Sequence, residues 1–147
     1  MVEMRRKPIL AAEDDPVDRE LIGQAFKRAA VESPLVMVVD GQEALDYLTA
    51  QVKDRGTSQF PAVILLDLAM PRMNGFEFLR RMKALPDLAT IPVVVLTTSE
   101  FNGDISQSYA LGANSCITKP GDFEQLVEIA RAVDLYWCRL NRLPERR

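Results

Sequence analysis

Four short apolar runs punctuate the chain, PILAA at 8–12, LVMVV at 35–39, AVILL at 62–66 and PVVVL at 92–96, and SCIT at 115–118 reads as a fifth short strand. Such runs, without polar alternation, predict strands buried on both faces, the kind found in parallel sheets covered by helices. Between them the apolar residues switch to helical spacing. Val17, Leu21, Ile22, Ala25, Phe26 and Ala29 predict a first helix, and Ala44, Leu45, Leu48 and Val52 a second. Phe76, Leu79 and Met82 mark a third over about 75–85, closed by Pro86. A weaker helix over 102–112 carries Ile105, Tyr109, Ala110 and Leu111, and a last one runs over about 122–140.

The helix starts are marked by chemistry. Pro16 suits the first helical position, which makes Asp15 the N-cap, with Asp18 three residues on. Asp40-Gly41-Gln42-Glu43 is an Asp-led version of the capping box. Residues 53–59 are polar, carry Gly56 and predict a surface loop.

Five strands alternating with five helices predict one α/β domain, a flavodoxin-like doubly wound five-stranded parallel sheet of order 2-1-3-4-5 with helices on both faces. A chain of 147 residues suits a single domain, expected over 1–147 with its core at about 7–138. In such sheets ligands bind outside the carboxyl ends of the strands. The residues that follow strands one, three, four and five are Glu13 and Asp14, Asp67, Thr97, and Lys119. Asp67 has no local structural task, because Asn74 and Gly75 are what adjoin the next helix.

Composition narrows the function. The net charge of −3, with basic clusters only at 5–7 and 146–147, gives no nucleic-acid footprint. The apolar runs are far shorter than a membrane span and no signal region follows the first basic residues, so a cytoplasmic protein without a membrane partner is expected. Cys116 and Cys138 make neither a disulfide framework nor a zinc site. The absence of histidine removes general-base triads, histidine-ligated metals and any internal phosphohistidine.

Carboxylates gathered at one rim repel by roughly 1 kcal/mol per pair at 4 Å in water and about 4 kcal/mol at an effective dielectric of 20. Raised pKa values, the Lys119 ammonium or a divalent cation can offset this, and all-oxygen ligation favours Mg²⁺ or Mn²⁺. With such a cation, Asp67 as nucleophile, Thr97 as hydroxyl donor and Lys119 as counter-charge form a set that accepts a phosphoryl group, giving an acyl phosphate. Singly, each residue has a duller explanation as a loop or strand-end group.

Together these residues resemble the receiver domain of two-component response regulators. The acidic pair Glu13-Asp14, the DLAMPRMNG stretch from Asp67 to Gly75, Thr97 and Lys119-Pro120 all match at the family's spacings. The resemblance implies phosphorylation of Asp67 by a sensor histidine kinase. It implies Mg²⁺ held by Glu13, Asp14, Asp67 and the backbone carbonyl of Ala69, a phosphoryl group bound by Thr97 and Lys119, and a switch that involves Thr97, Thr98, Cys116 and Pro120. It leaves open whether Asp15 replaces Glu13 as ligand. The chain departs from the family at Cys116, where a switching Tyr or Phe is usual.

The last helix has a wide apolar arc. Phe123, Leu126, Val127, Ala130, Val133, Trp137 and Leu140 mark one face, and Ile129, Tyr136 and Leu143 another. This side is expected to meet a second copy in a homodimer. Tyr136-Trp137, the LTTS at 96–99 and the length are similar to the stand-alone response regulators that partner bacterial and cyanobacterial phytochromes, whose output is protein contact rather than turnover of a separate substrate. Three rivals share parts of the pattern. A phosphatase of the haloacid dehalogenase type wants an Asp where Ala69 stands, a flavodoxin needs a phosphate cradle where Glu13-Asp14-Asp15 would repel phosphate, and an inert interaction module needs no chemistry.

Overall fold

The computed structural model describes residues 6–54 and 59–144, so Gly56 of the expected loop and most of the two terminal basic clusters lie outside the described residues. The strands are β1 (Ile9–Ala12), β2 (Leu35–Val38), β3 (Val63–Leu66), β4 (Val93–Thr97) and β5 (Ser115–Thr118). They alternate with helices α1 (Pro16–Arg28), α2 (Gly41–Lys53), α3 (Gly75–Lys83), α4 (Asn102–Ala110) and α5 (Phe123–Val133). All neighbouring strands pair in parallel, in the order β2-β1-β3-β4-β5. The doubly wound architecture read from the alternation is the one observed.

The sheet separates two apolar cores. Leu10, Ala12, Ile64, Leu66, Val93 and Val95 face α2 and α3, where Leu48, Phe78, Leu79 and Met82 cover them. Ile9, Ala11, Val63, Leu65, Val94 and Leu96 face α1 and α5, where Ile22, Phe26, Val127 and Val133 cover them. Alternate side chains point to opposite faces, so covering both makes β1 and β3 apolar throughout, and β4 apolar up to its last residue, Thr97, and buries each of their residues. The second strand is less buried than its sequence predicts, since Leu35, Val36 and Met37 are only half-covered. β2 is an edge strand, and one flank has no neighbour.

Three helices also differ from expectation. α3 stops at Lys83 instead of about 85, and its end is tied by the Lys83 ammonium donating to the carbonyl of Ala89 at 3.0 Å. α4 buries Ser108 rather than its apolar residues, because Tyr109 turns outward and its hydroxyl accepts the Cys116 N–H at 3.2 Å. The last helix is α-helical only to Val133 and continues as a π-helix over Asp134–Leu140. The wider turn, with about 4.4 residues instead of 3.6, takes Leu140 off the buried face that α-helical spacing assigns it. Leu135, Tyr136 and Leu140 are all exposed, while Trp137 stays half-buried with its ring edge-on to Tyr136. On α1, Val17 and Leu21 likewise lie outside the buried stripe of Ile22, Ala25 and Phe26.

The expected caps are in place. Asp15 Oδ1 accepts the N–H groups of Val17 and Asp18, and Asp40 Oδ1 accepts that of Glu43 at 2.8 Å. Glu43 reaches back to the N–H of Val39, one residue earlier than a regular capping box. Asp40 is fully buried and has a second partner, the Arg72 guanidinium, whose Nε lies 2.7 Å from Oδ2 and whose Nη2 bonds the same oxygen. Burial alone would raise the Asp40 pKa, but the Glu43 N–H and Arg72 outweigh it and hold it below the ordinary value. A depressed carboxylate contributes stability above its unfolded pKa and loses it as pH falls through the native one. Asp40→Asn keeps a capping oxygen and loses the charge. We expect urea denaturation at neutral pH to show a loss of about 1.5–3 kcal/mol, the range for hydrogen bonds to charged groups. The gap from the native chain should narrow as pH falls below about 3.8.

Candidate functional site

The carboxyl ends of β1, β3, β4 and β5 meet at one rim. The registers Ala12↔Leu66, Leu66↔Val95 and Thr97↔Thr118 bring the residues after them side by side. The Asp67 N–H donates to Ala12 O at 3.1 Å, the Glu13 N–H to Val38 O at 3.0 Å and the Lys119 N–H to Thr97 O at 2.7 Å. The side chains are therefore held by the ladder itself. The β1–α1 turn is further pinned by Arg19 Nη1, which donates to the carbonyls of Glu13 at 3.1 Å and Asp14 at 2.8 Å.

Glu13, Asp14 and Asp67 each place a carboxylate oxygen within 4.8 Å of the others. Glu13 and Asp67 are buried and Asp14 is half-buried, while Asp15 is exposed and occupied as a helix cap. Such a compact all-oxygen set suits Mg²⁺ or Mn²⁺, and the electrostatics agree. Burial pushes the Glu13 carboxyl up to about 7 despite Lys119 and the Asp15 N–H, and the Asp67 charge adds to the rise. Negative charge at this rim is thus under-compensated, which is what a bound divalent cation corrects. Ala69 lies exposed two residues beyond Asp67, in the loop that leads to α3.

Lys119 reaches over this group with its side chain 11% exposed. Its ammonium bonds Glu13, lies 3.0 Å from Asp18 Oδ2 and 3.8 Å from Asp67 Oδ2. Burial alone would lower its pKa, but Glu13, Asp67 and Asp18 outweigh that and raise it, so the lysine remains a cation. Thr97 ends β4 in a buried position, its hydroxyl oxygen accepting the Ser99 N–H at 3.3 Å. Thr98 is exposed beside it and Pro120 is half-buried after Lys119. Cys116 sits lower in β5, opposite Val95, as a half-buried free thiol.

The loop over 68–74 is shaped by close approach. A Cβ on Gly75 would lie 2.4 Å from Asp67 O, and one on Gly41 2.6 Å from Met73 O, so both positions exclude larger residues. Arg72 has a left-handed backbone, φ 63°, and its guanidinium anchors the loop to Asp40 under α2. Sequence reasoning missed two participants. Arg72 is a loop arginine with no local signature for its distant partner, and Asp18 reads as a first-turn helix acid although it bonds the lysine across the rim.

The comparisons with known proteins agree with this geometry. The chain belongs to the response regulator receiver domain family, which it matches over residues 9–131. It is 35% identical to the response regulator Rcp1 of the cyanobacterium Synechocystis over 94% of this chain and 93% of that protein. It is 38% identical to the probable methanogenesis regulatory protein FilR2 of Methanothrix harundinacea, over 92% and 86% of the two chains. Among solved structures it resembles the phosphorylated cyanobacterial phytochrome response regulator RcpA, with a TM-score of 0.83 and 38% identity over 97% of this chain and all of that one. It also resembles the Mn²⁺-bound form of Rcp1, with a TM-score of 0.80 over 95% and 99% of the two chains. The protein is a two-component response regulator receiver, a module that accepts a phosphoryl group, and its acidic cluster provides a divalent-cation site.

Asp15 separates capping from ligation. In Asp15→Ala, thermal or urea unfolding should show a loss of about 1 kcal/mol from the missing cap, with Mg²⁺ affinity by calorimetry unchanged. Loss of metal binding instead would put Asp15 among the ligands.

Proposed function

We propose that Asp67 is the phosphoacceptor of a stand-alone, single-domain response regulator. The observation that carries this is Asp67 itself: a buried carboxylate at the end of the central strand, 3.8 Å from the Lys119 ammonium and grouped with Glu13 and Asp14. One Asp67 oxygen attacks phosphorus in line, the leaving group departs with the donor, and the product is an aspartyl phosphate. Glu13, Asp14 and Asp67, with the Ala69 carbonyl, hold the divalent cation, which when bound neutralises charge on the transferring group. Lys119 and the Thr97 hydroxyl bind phosphoryl oxygens, and Thr97, Thr98, Cys116 and Pro120 form the segment that responds.

With no histidine in its sequence, the chain takes the group from a partner. The likeness to RcpA and Rcp1 supports a sensor histidine kinase of the bacterial phytochrome kind, acting in the cytoplasm. Among the described residues no helix is long and apolar enough to cross a membrane. Output is protein contact without turnover of a separate substrate. Exposed Leu135, Tyr136 and Leu140 support a homodimer through the C-terminal helix side. The competing reading is an inert receiver-like module.

Incubation with Mg²⁺ and acetyl phosphate, followed by intact mass, tests the reading. One labile phosphoryl is expected on the native chain and none on Asp67→Asn, with the circular dichroism of the two alike. No adduct on the native chain favours the inert module, and an adduct that survives Asp67→Asn moves the acceptor elsewhere.

A further inference from the structure

Asp18 has a partner that its place in a helix does not explain. An acid in the first turn is ordinarily stabilised by the exposed N–H groups and dipole of the helix. Here Asp15 Oδ1 already accepts the N–H groups of Val17 and Asp18, at 2.8 and 3.3 Å. The Asp18 carboxylate instead accepts from Lys119 Nζ at 3.0 Å, across the rim from the β5–α5 connection. An ammonium has three protons to donate. Glu13 and Asp18 are within bonding distance of Nζ, and Asp67 at 3.8 Å is outside it.

We infer that Asp18 is a positioning residue that holds Lys119 back from the phosphoacceptor, so that the lysine's approach to a phosphoryl group on Asp67 competes with its bond to Asp18. The inference rests on Asp67 being the acceptor. Of the three carboxylates around the ammonium, Asp18 alone lies outside the acidic triad. Its side chain is 34% exposed, so the tie is partly wet and breakable, unlike the buried contact with Glu13. The arrangement sets a threshold. Transfer requires a phosphoryl group, or its mimic, that competes with Asp18 for the cation.

The test uses Asp18→Asn, which keeps the shape and the helix start but weakens the hold on the ammonium. Phosphoryl uptake from acetyl phosphate at saturating Mg²⁺ should rise roughly fivefold, the worth of a partly exposed ion pair. Affinity for the phosphoryl mimic trifluoroberyllate, measured by calorimetry, should rise by a similar factor. In a Lys119→Met background both effects should vanish. A general loss of negative charge at the rim would act equally in that background, and a purely structural role would move unfolding without moving either readout. The inference is overturned if the native chain is phosphorylated and Asp18→Asn is no faster, or if the gain persists without the lysine. A native chain that takes up no phosphoryl overturns the acceptor reading and this one with it.

Discussion

The functional rim depends on one ammonium among too many carboxylates. Four carboxylates, Glu13, Asp14, Asp18 and Asp67, surround a place where the described residues supply a single ammonium, that of Lys119. Burying charge is costly unless it is paired, and here the pairing is shared: burial first and the Asp67 charge after it raise the Glu13 pKa, and Lys119 offsets them only in part. The site is therefore unfinished by design of its own charges. It is stable enough to fold, yet left with an unmet demand for positive charge that a divalent cation satisfies and a lysine that has more than one place to be.

That demand can be met only if the backbone beneath it does not relax. Strands β1, β3 and β4 are buried along their whole length, and their ladders fix the rim residues through the N–H groups of Glu13, Asp67 and Lys119. The loop over 68–74, which follows Asp67, is held from two sides. Gly75 lets the helix start press on the Asp67 carbonyl, while Gly41 and Asp40 bring the start of α2 against Met73 and Arg72. The strain of a left-handed arginine is offset by a charge-assisted bond to a buried acid. Scaffold and site are continuous here, since the cap of α2 also tethers the loop beside Asp67.

What the sequence exposed, and what it hid, follows from the range of each interaction. Strand order and rim convergence were legible because burial on two faces leaves an unbroken apolar run, as in 62–66 and 92–96, and because Asp15, Asp40 and Asn74 announce helix starts within three residues. The triad of Glu13, Asp14 and Asp67 followed from that topology. Arg72 and Asp18 did not, since their partners lie far along the chain and the same residue types serve equally well as solvated surface. The π-turn after Val133 was hidden for a different reason. Apolar spacing over 134–140 fits a 3.6-residue period tolerably, and only the hydrogen-bond ladder, closed by the Asn141 N–H on the Tyr136 carbonyl, decides the wider one.

The edge of the sheet gives the same lesson in a smaller space. β5 carries no ring at Cys116, and α4 packs beside it. Ser108 is buried against the strand, and the Tyr109 hydroxyl sits on the Cys116 N–H. Burial raises the thiol pKa, opposed in part by Ser108 and Tyr109, so Cys116 remains a neutral, small packing group. An aromatic ring is thus present at this edge after all, but it is carried by the helix before the strand. The other end of that helix is tied through Asp104 to Ser99, whose N–H rests on Thr97. One short helix thus carries both contacts, Asp104 bonded to Ser99 beside the rim threonine and Tyr109 bonded to Cys116 in the edge strand.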